Sequence, residues 1–239
     1  MTTHRNLENK RLVAFLRNTA FFGSLSDEAL TTLVKHAQVR TFPKGTVIYR
    51  RGEPGTSLMV IVSGRIKIAN VSPEGREVVL NFLRAGDVSG EIAVLDGRER
   101  TADAVALEAT DALIISARDL LPMLIAHPDA LLGVSRLLCE KLRTASAIVE
   151  DSTREMRSRA AKGLLRLAER HGKDSNRGIL VDLLLSQQDL GNYLGISREN
   201  VSRQLRQLRF ANVIRVEEGH IVLTDQVGLE EIADDISGG

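Results

Sequence analysis

Apolar positions along this chain fall into three rhythms, and each predicts a different kind of element. Near the start, Leu12, Phe15 and Leu16 recur at helical spacing, and Ser26 followed by Asp27 and Glu28 opens a second helix through His36. Phe21, Phe22 and Leu25 are the expected anchors of that helix. From Val39 to Ser116 the texture changes to short β-branched runs: Thr46–Tyr49, Leu58–Val62, Ile66–Val71, Val78–Leu83, Ala104–Leu107 and Leu113–Ile115. Glycines at 45, 55, 64, 75, 86 and 97 punctuate them roughly every ten residues, the signature of a β-sandwich or barrel, with one hairpin closed by Ser72-Pro73-Glu74-Gly75.

The third rhythm is helical again. Pro128 suits a first helical turn, and Leu131, Val134, Leu138, Leu142, Ala145, Val149 and Ser152 then recur every three or four residues. A helix of about seven turns with so narrow a seam either packs on its own domain or pairs with a second copy of the chain. The charged tract Glu150–Arg159 breaks the rhythm and reads as a hinge. A helix follows with Ala160, Ala161, Leu164, Leu165 and Ala168 inward and Gly172 as its stop; His171–Asn176 reads as a polar loop.

Ser186-Gln187-Gln188-Asp189 has the spacing of a capping box, and Gly195-Ile196 that of a tight turn before a helix beginning at Ser197. At about 100° per residue, Arg198, Glu199, Ser202 and Arg203 share an arc of roughly 140°, with Val201, Leu205 and Leu208 opposite. Two arginines, a carboxylate and a hydroxyl thus project from the first turns of a helix whose back is buried. That suits the second helix of a helix-turn-helix, where arginine forks meet guanine and a carboxylate accepts from cytosine. A solvated helical hairpin is the plainer alternative. Val213–Val216 and His220–Leu223, joined by Glu217-Glu218-Gly219, read as a hairpin wing.

Charge sharpens this picture. With 32 basic and 31 acidic residues the net charge is only +1, which excludes a basic surface over the whole chain. From Ser186 to Arg215, however, Arg198, Arg203, Arg206, Arg209 and Arg215 face only Asp189 and Glu199, so positive charge gathers where phosphate contact needs it. The single cysteine, Cys139, excludes an internal disulfide framework and fits a reducing compartment. MTTHRNLENKR lacks the apolar core of a signal peptide, and no apolar run suggests a membrane span. A cytoplasmic protein with no membrane partner is expected.

The densest chemistry lies in GEIAVLDGRERTA, Gly90–Ala102. Gly90 lets backbone approach a ligand closely. Glu91 can accept from a ribose hydroxyl, while Arg100 and Thr101 can donate to phosphate oxygens. Glu91 and Arg100 also suit a solvated ion pair beside a turn. The cassette resembles that of cyclic-nucleotide-binding domains. With Ser197-Arg198-Glu199, Val201 and Arg203, the chain resembles the Crp-Fnr family of bacterial transcription regulators over roughly residues 20–225.

The resemblance implies an α+β fold: an arm (1–20), a cyclic-nucleotide-binding β jelly roll (21–128), a dimerisation helix with hinge (129–155) and a winged helix-turn-helix domain (156–239). It implies a homodimer formed through residues 129–152, with RNA polymerase as a partner and cAMP as allosteric ligand. Gly90, Glu91, Ile92, Ala93, Arg100, Thr101 and Ala102 fall on cassette positions. Lys141 falls where it can pair with Glu91, and Thr144, Ala145 and Ser146 fall by the base. Arg198, Glu199 and Arg203 would read a TGTGA-like palindrome, flanked by Ser186, Gln187, Ser197, Asn200 and Ser202. Ser89 replaces a common aromatic, Ala145 replaces a threonine, and Thr101 keeps cGMP open as a ligand.

Other sensors fit less well. An iron–sulfur sensor needs about four cysteines, and only Cys139 exists. His4, His36, His127, His171 and His220 are scattered, so each reads as a surface histidine rather than a haem or metal ligand, and Cys139 reads as a small buried hydrophobe. A regulator that needs no ligand stays open, although the Arg100-Thr101 pair argues against it. A phosphodiesterase would need metal ligands or an acid–base pair at usable spacing, and the sequence offers no such cluster.

Overall fold

Two helices, α1 (Thr2–Arg17) and α2 (Asp27–His36), open the chain and pack on each other. The computed structural model describes residues 2–235, with side chains from Leu7 onward, so the side chain of His4 and the last four residues of the tail lie outside the described residues. The Ser26 hydroxyl accepts from the Ala29 amide at 3.3 Å, satisfying one of the unpaired donors in the first turn of α2.

The strands are β1 (Gln38–Phe42), β2 (Val47–Tyr49), β3 (Ser57–Ser63), β4 (Ile66–Val71), β5 (Glu77–Leu83), β6 (Val88–Ser89), β7 (Asp103–Ala106) and β8 (Thr110–Ser116). A short helix, α3 (Glu91–Asp96), stands between β6 and β7. The strands form two 4-stranded sheets, ordered β1-β8-β3-β6 and β2-β7-β4-β5. Side chains alternate faces along a strand, and β3 is apolar on both. Its Leu58 and Val60 face a core shared with Phe21, Phe22, Leu30, Leu113, Ile115 and Leu120, whereas Met59 and Ile61 join Phe42, Ile66, Leu83 and Ala104 in a second core. A strand buried on both faces reads as an unbroken apolar run, which is why Leu58–Val62 shows no alternation.

Two further helices, α4 (Ala117–Ala126) and α5 (Pro128–Ser152), complete this part. The Ser116 hydroxyl caps α4 by accepting from the Asp119 amide at 3.1 Å. The chain divides into two compact units, residues 1–70 with 80–143 and residues 71–79 with 144–239, so the division falls within α5.

The C-terminal unit contains α6 (Met156–His171), β9 (Gly172–Ser175), β10 (Gly178–Val181), α7 (Gln187–Leu194), α8 (Arg198–Phe210), β11 (Ile214–Glu217), β12 (His220–Leu223) and α9 (Gln226–Asp234). Its sheet is ordered β11-β12-β10-β9. The stretch expected to be a polar loop after α6 is instead strand β9, paired antiparallel with the apolar strand β10. Its polar side chains point to solvent, so pairing of the backbone and not apolar patterning makes it a strand. The tail from Gln226 also gains an account: α9 buries Leu229 and Ala233, and Ala233 accepts from the Ser158 hydroxyl of α6 at 2.5 Å.

Three expectations about single residues change. Cys139 is exposed on α5 rather than buried. His171 is buried at the end of α6, not on the surface. Leu165 is only half-buried, because the buried stripe of α6 runs through Ala161, Leu164 and Ala168.

The fully buried Phe22 ring fills the core between α2 and β3. Phe22→Ala is expected to destabilise the protein by about 3–5 kcal/mol, read as a lower urea midpoint at unchanged secondary structure.

Candidate ligand site and nucleic-acid interface

The cassette is built where β6 ends. Gly90 has φ 85°, a left-handed conformation that permits α3 to start at Glu91, and a Cβ there would lie 2.3 Å from Nη1 of Arg100. The guanidinium takes the space that Gly90 leaves. Its Nη1 donates to the Gly90 carbonyl at 3.0 Å and its Nη2 to the Ser57 carbonyl at 2.6 Å. The Tyr49 ring lies beneath it, with Cζ 4.4 Å from the ring centroid. The Tyr49 hydroxyl is 2.6 Å from Oγ of Ser89, the position where an aromatic was the common alternative.

Arg100 is only 7% exposed and Glu91 1%, so neither is the solvated surface charge that the plainer reading describes. Burial pulls the Arg100 guanidinium below its ordinary value, opposed by Tyr49, Glu53 and Glu91. Burial likewise raises the Tyr49 phenol, against the hydrogen bond with Ser89. Lys141, on α5, brings Nζ to 2.7 Å from Oε1 of Glu91 and donates to the Val88 carbonyl at 3.3 Å. One atom of each buried ion is left without a partner: Oε2 of Glu91, an acceptor, and Nε of Arg100, a donor.

The remaining cassette residues differ in setting. Ala93 and Ala102 are buried, while Ile92 and Thr101 are exposed. Thr144 is half-buried and Ala145 and Ser146 are exposed, all three on the part of α5 that belongs to the C-terminal unit. Sequence reasoning missed Tyr49 and Ser57 as supports of Arg100. Tyr49 sits in an ordinary β-branched strand and Ser57 contributes a backbone carbonyl, so neither carries a motif.

The second candidate surface is the pair α7–α8. Ser186 caps α7 by accepting from the Asp189 amide at 3.0 Å, and Ser197 caps α8 by accepting from the Asn200 amide at 3.3 Å. Gly195, with φ 67°, makes the turn between them. Val201, Gln204 and Leu208 are buried, so α8 keeps the opposite arc outward; Leu205, expected on the buried side, is only half-buried because it lies about 20° around the helix from Arg198. Arg198, Glu199 and Arg203 on that arc are exposed, with Ser202 and Asn200 half-buried beside them and Gln187 exposed at the start of α7. Nearby, β11 and β12 form a wing whose turn holds Glu218 at φ 50° and Gly219 at φ 85°.

Apolar side chains are also exposed along α5: Leu131, Leu138, Leu142 and Val149 repeat at seven, four and seven residues, with Leu142 68% exposed. Among the described residues, no three His, Cys, Asp or Glu side chains gather to hold a metal ion, and no helix is long and apolar enough to cross a membrane.

Residues 39–127 match the description of a cyclic nucleotide-binding domain, and residues 158–232 that of a Crp-like helix-turn-helix domain. The chain is similar to the CRP-like cAMP-activated global transcriptional regulator of Mycobacterium tuberculosis, 31% identical over 212 residues, which cover 88% of this chain and 94% of that one. It is 30% identical over 219 residues to the cyclic AMP receptor protein of Thermus thermophilus, covering 91% and 98% of the two chains. Among solved structures, FixK2 from Bradyrhizobium japonicum superposes with a TM-score of 0.74 at 23% identity, over 82% of this chain and 96% of that one, a likeness of fold alone.

The close approach of Gly90 and Arg100 is directly testable. Gly90→Ala combines a positive φ with a steric conflict against a buried guanidinium. It is expected to destabilise the N-terminal unit by at least about 1 kcal/mol, measured as a lower thermal midpoint.

Proposed function

The chain belongs to the Crp-Fnr family of transcription regulators, and from that membership we propose that it is a homodimer that binds palindromic DNA in response to cAMP. The observation that carries the ligand reading is the pair of unpartnered atoms in one cassette, Oε2 of Glu91 and Nε of Arg100. A cyclic ribose phosphate answers both at once: its free hydroxyl donates to the carboxylate, and its phosphate accepts from the guanidinium. A neutral sugar offers the guanidinium only an uncharged, weaker acceptor, and inorganic phosphate lacks a sugar hydroxyl for the carboxylate. The names of the Mycobacterium and Thermus relatives specify cAMP.

In this reading Gly90, Ile92, Ala93 and Ala102 shape the cassette and Thr101 adds a hydroxyl to the phosphate. Lys141 ties down Oε1 of Glu91 and so aims its carboxylate. Thr144, Ala145 and Ser146 meet the base, together with the partner's long helix. Ala145 offers no hydroxyl while Thr101 does, so cGMP is the competing ligand.

On DNA, Arg198 and Arg203 fork onto guanines and Glu199 accepts from a cytosine amine, with Asn200 and Ser202 beside them. Ser186 and Gln187 hold phosphates at the start of α7, Ser186 through its backbone because its hydroxyl donates to Oδ2 of Asp189, and Ser197 stands at the start of α8. The exposed stripe Leu131–Leu138–Leu142–Val149 is the dimer seam. Two recognition helices about 34 Å apart then read TGTGA-like half-sites one DNA turn apart. Ligand acts by favouring that arrangement over others, since equal affinity for both would shift nothing. RNA polymerase is the partner through which the bound dimer alters transcription.

Fluorescence anisotropy of a TGTGA-type palindromic duplex, at one fixed salt concentration, tests the whole chain of reasoning. With cAMP the affinity is expected to rise by roughly 5–150-fold, and Arg100→Ala abolishes the gain. An equal gain with cGMP means that base choice is relaxed, and high affinity unchanged by either nucleotide refutes the ligand reading.

The seam has its own test. Leu142 is mostly exposed, so Leu142→Asp leaves the monomer fold intact. Sedimentation is expected to show the monomer, and affinity for the palindrome falls to that for a single half-site. A variant that remains dimeric would place the interface elsewhere.

A further inference from the structure

Arg100 is a long side chain whose two terminal nitrogens both point at backbone carbonyls. Those two bonds, to Gly90 and Ser57, fix the guanidinium within its own plane but do little to stop it tilting out of that plane. The Tyr49 ring, 4.4 Å below Cζ, closes that remaining freedom. Resting on the cyclic-nucleotide reading above, we propose that Tyr49 is the positioning residue for Arg100. Its ring sets the guanidinium plane, and its hydroxyl ties that ring to the cassette through Ser89.

The contacts form a closed circuit. Tyr49 meets Ser89 at 2.6 Å, Ser89 adjoins Gly90, the Gly90 carbonyl accepts from Arg100, and Arg100 returns to the Tyr49 ring. The latch also spans the sandwich, because β2 lies in one sheet and β6 in the other. Arg100 is nearly excluded from water, where attraction between a cation and an aromatic face is strongest. With the guanidinium held on both carbonyls and on the ring, Nε is the donor left without a partner. The arginine therefore meets phosphate already ordered, and the loss of rotamer freedom that weakens binding by flexible side chains is avoided. Ser89 thereby gains a definite role, since its hydroxyl meets that of Tyr49 at 2.6 Å.

The composition supplies a probe. The chain has no tryptophan and two tyrosines, Tyr49 and Tyr193, so Tyr193→Phe leaves Tyr49 as the sole tyrosine. In that background, cAMP titrated by calorimetry and by tyrosine emission is expected to give one shared midpoint. In the otherwise native chain, Tyr49→Leu weakens cAMP binding roughly tenfold. Tyr49→Phe keeps the ring and stays within about threefold, the rescue expected if the ring acts on Arg100. Adenosine, which has no phosphate, binds the native and Tyr49→Leu proteins alike. Circular dichroism melts confirm that each variant is folded.

Three results would overturn the proposal: folded Tyr49→Leu that binds cAMP as the native protein does, adenosine weakened in the same proportion as cAMP, or emission that stays constant while calorimetry shows saturation. If the native protein binds no cyclic nucleotide, the ligand reading itself falls and this role with it. Native binding with an unaffected Tyr49→Leu removes only the role of Tyr49.

Discussion

Two ions buried at the end of a β-sandwich set the terms for everything around them. An unpaired charge in such a place costs several kcal/mol, so each must be matched by partners drawn from the rest of the fold. Glu91 obtains Lys141 from the long helix; Arg100 obtains two backbone carbonyls and an aromatic face. Gly90 is required twice over, by its left-handed backbone and by the guanidinium in the space of its missing side chain. What these partners leave unsatisfied is one acceptor, Oε2 of Glu91, and one donor, Nε of Arg100.

The C-terminal unit solves a related problem at the end of α5. Asp151 is buried and takes ion pairs from Arg154 and Arg166, while Arg159 donates to the carbonyls of Ser152, Arg154 and Gly195. The last carbonyls of a helix have no partners within it, and here a guanidinium supplies them. The same side chain reaches the turn that separates α7 from α8. Within the charged tract read as a hinge, the end of one helix and the turn before the recognition helix thus share a donor, Arg159.

Much of this was legible because the chain marks its element boundaries with chemistry. Ser26, Ser186 and Ser197 announce helix starts and each accepts the amide its position implies. The long helix declared itself by period, and the wing by two apolar runs around Glu218-Gly219. Less could be read where structure comes from partners distant in sequence. Strand β9 is polar and exists because β10 pairs with it; β6 is two residues long; α3 and α4 lie in stretches too short or too apolar to show a period. Within the cassette, Glu91 and Arg100 were evident, but Tyr49 and the Ser57 carbonyl come from 43 or more residues upstream and act through a ring face and a backbone atom.

Strand β3 has a consequence for how the N-terminal unit comes apart. Its odd and even residues belong to different cores, and it pairs with β8 on one side and β6 on the other. Releasing it exposes both cores together, so it cannot fray as an edge strand does. Local openings, which carry far lower free energies than global unfolding, are confined to the periphery. Amides of β3 and β8 then exchange with solvent only when the whole unit unfolds. The Ser57 carbonyl that grips Arg100 stands at the first residue of this slowest segment, so the arginine is moored to the part of the unit that opens last.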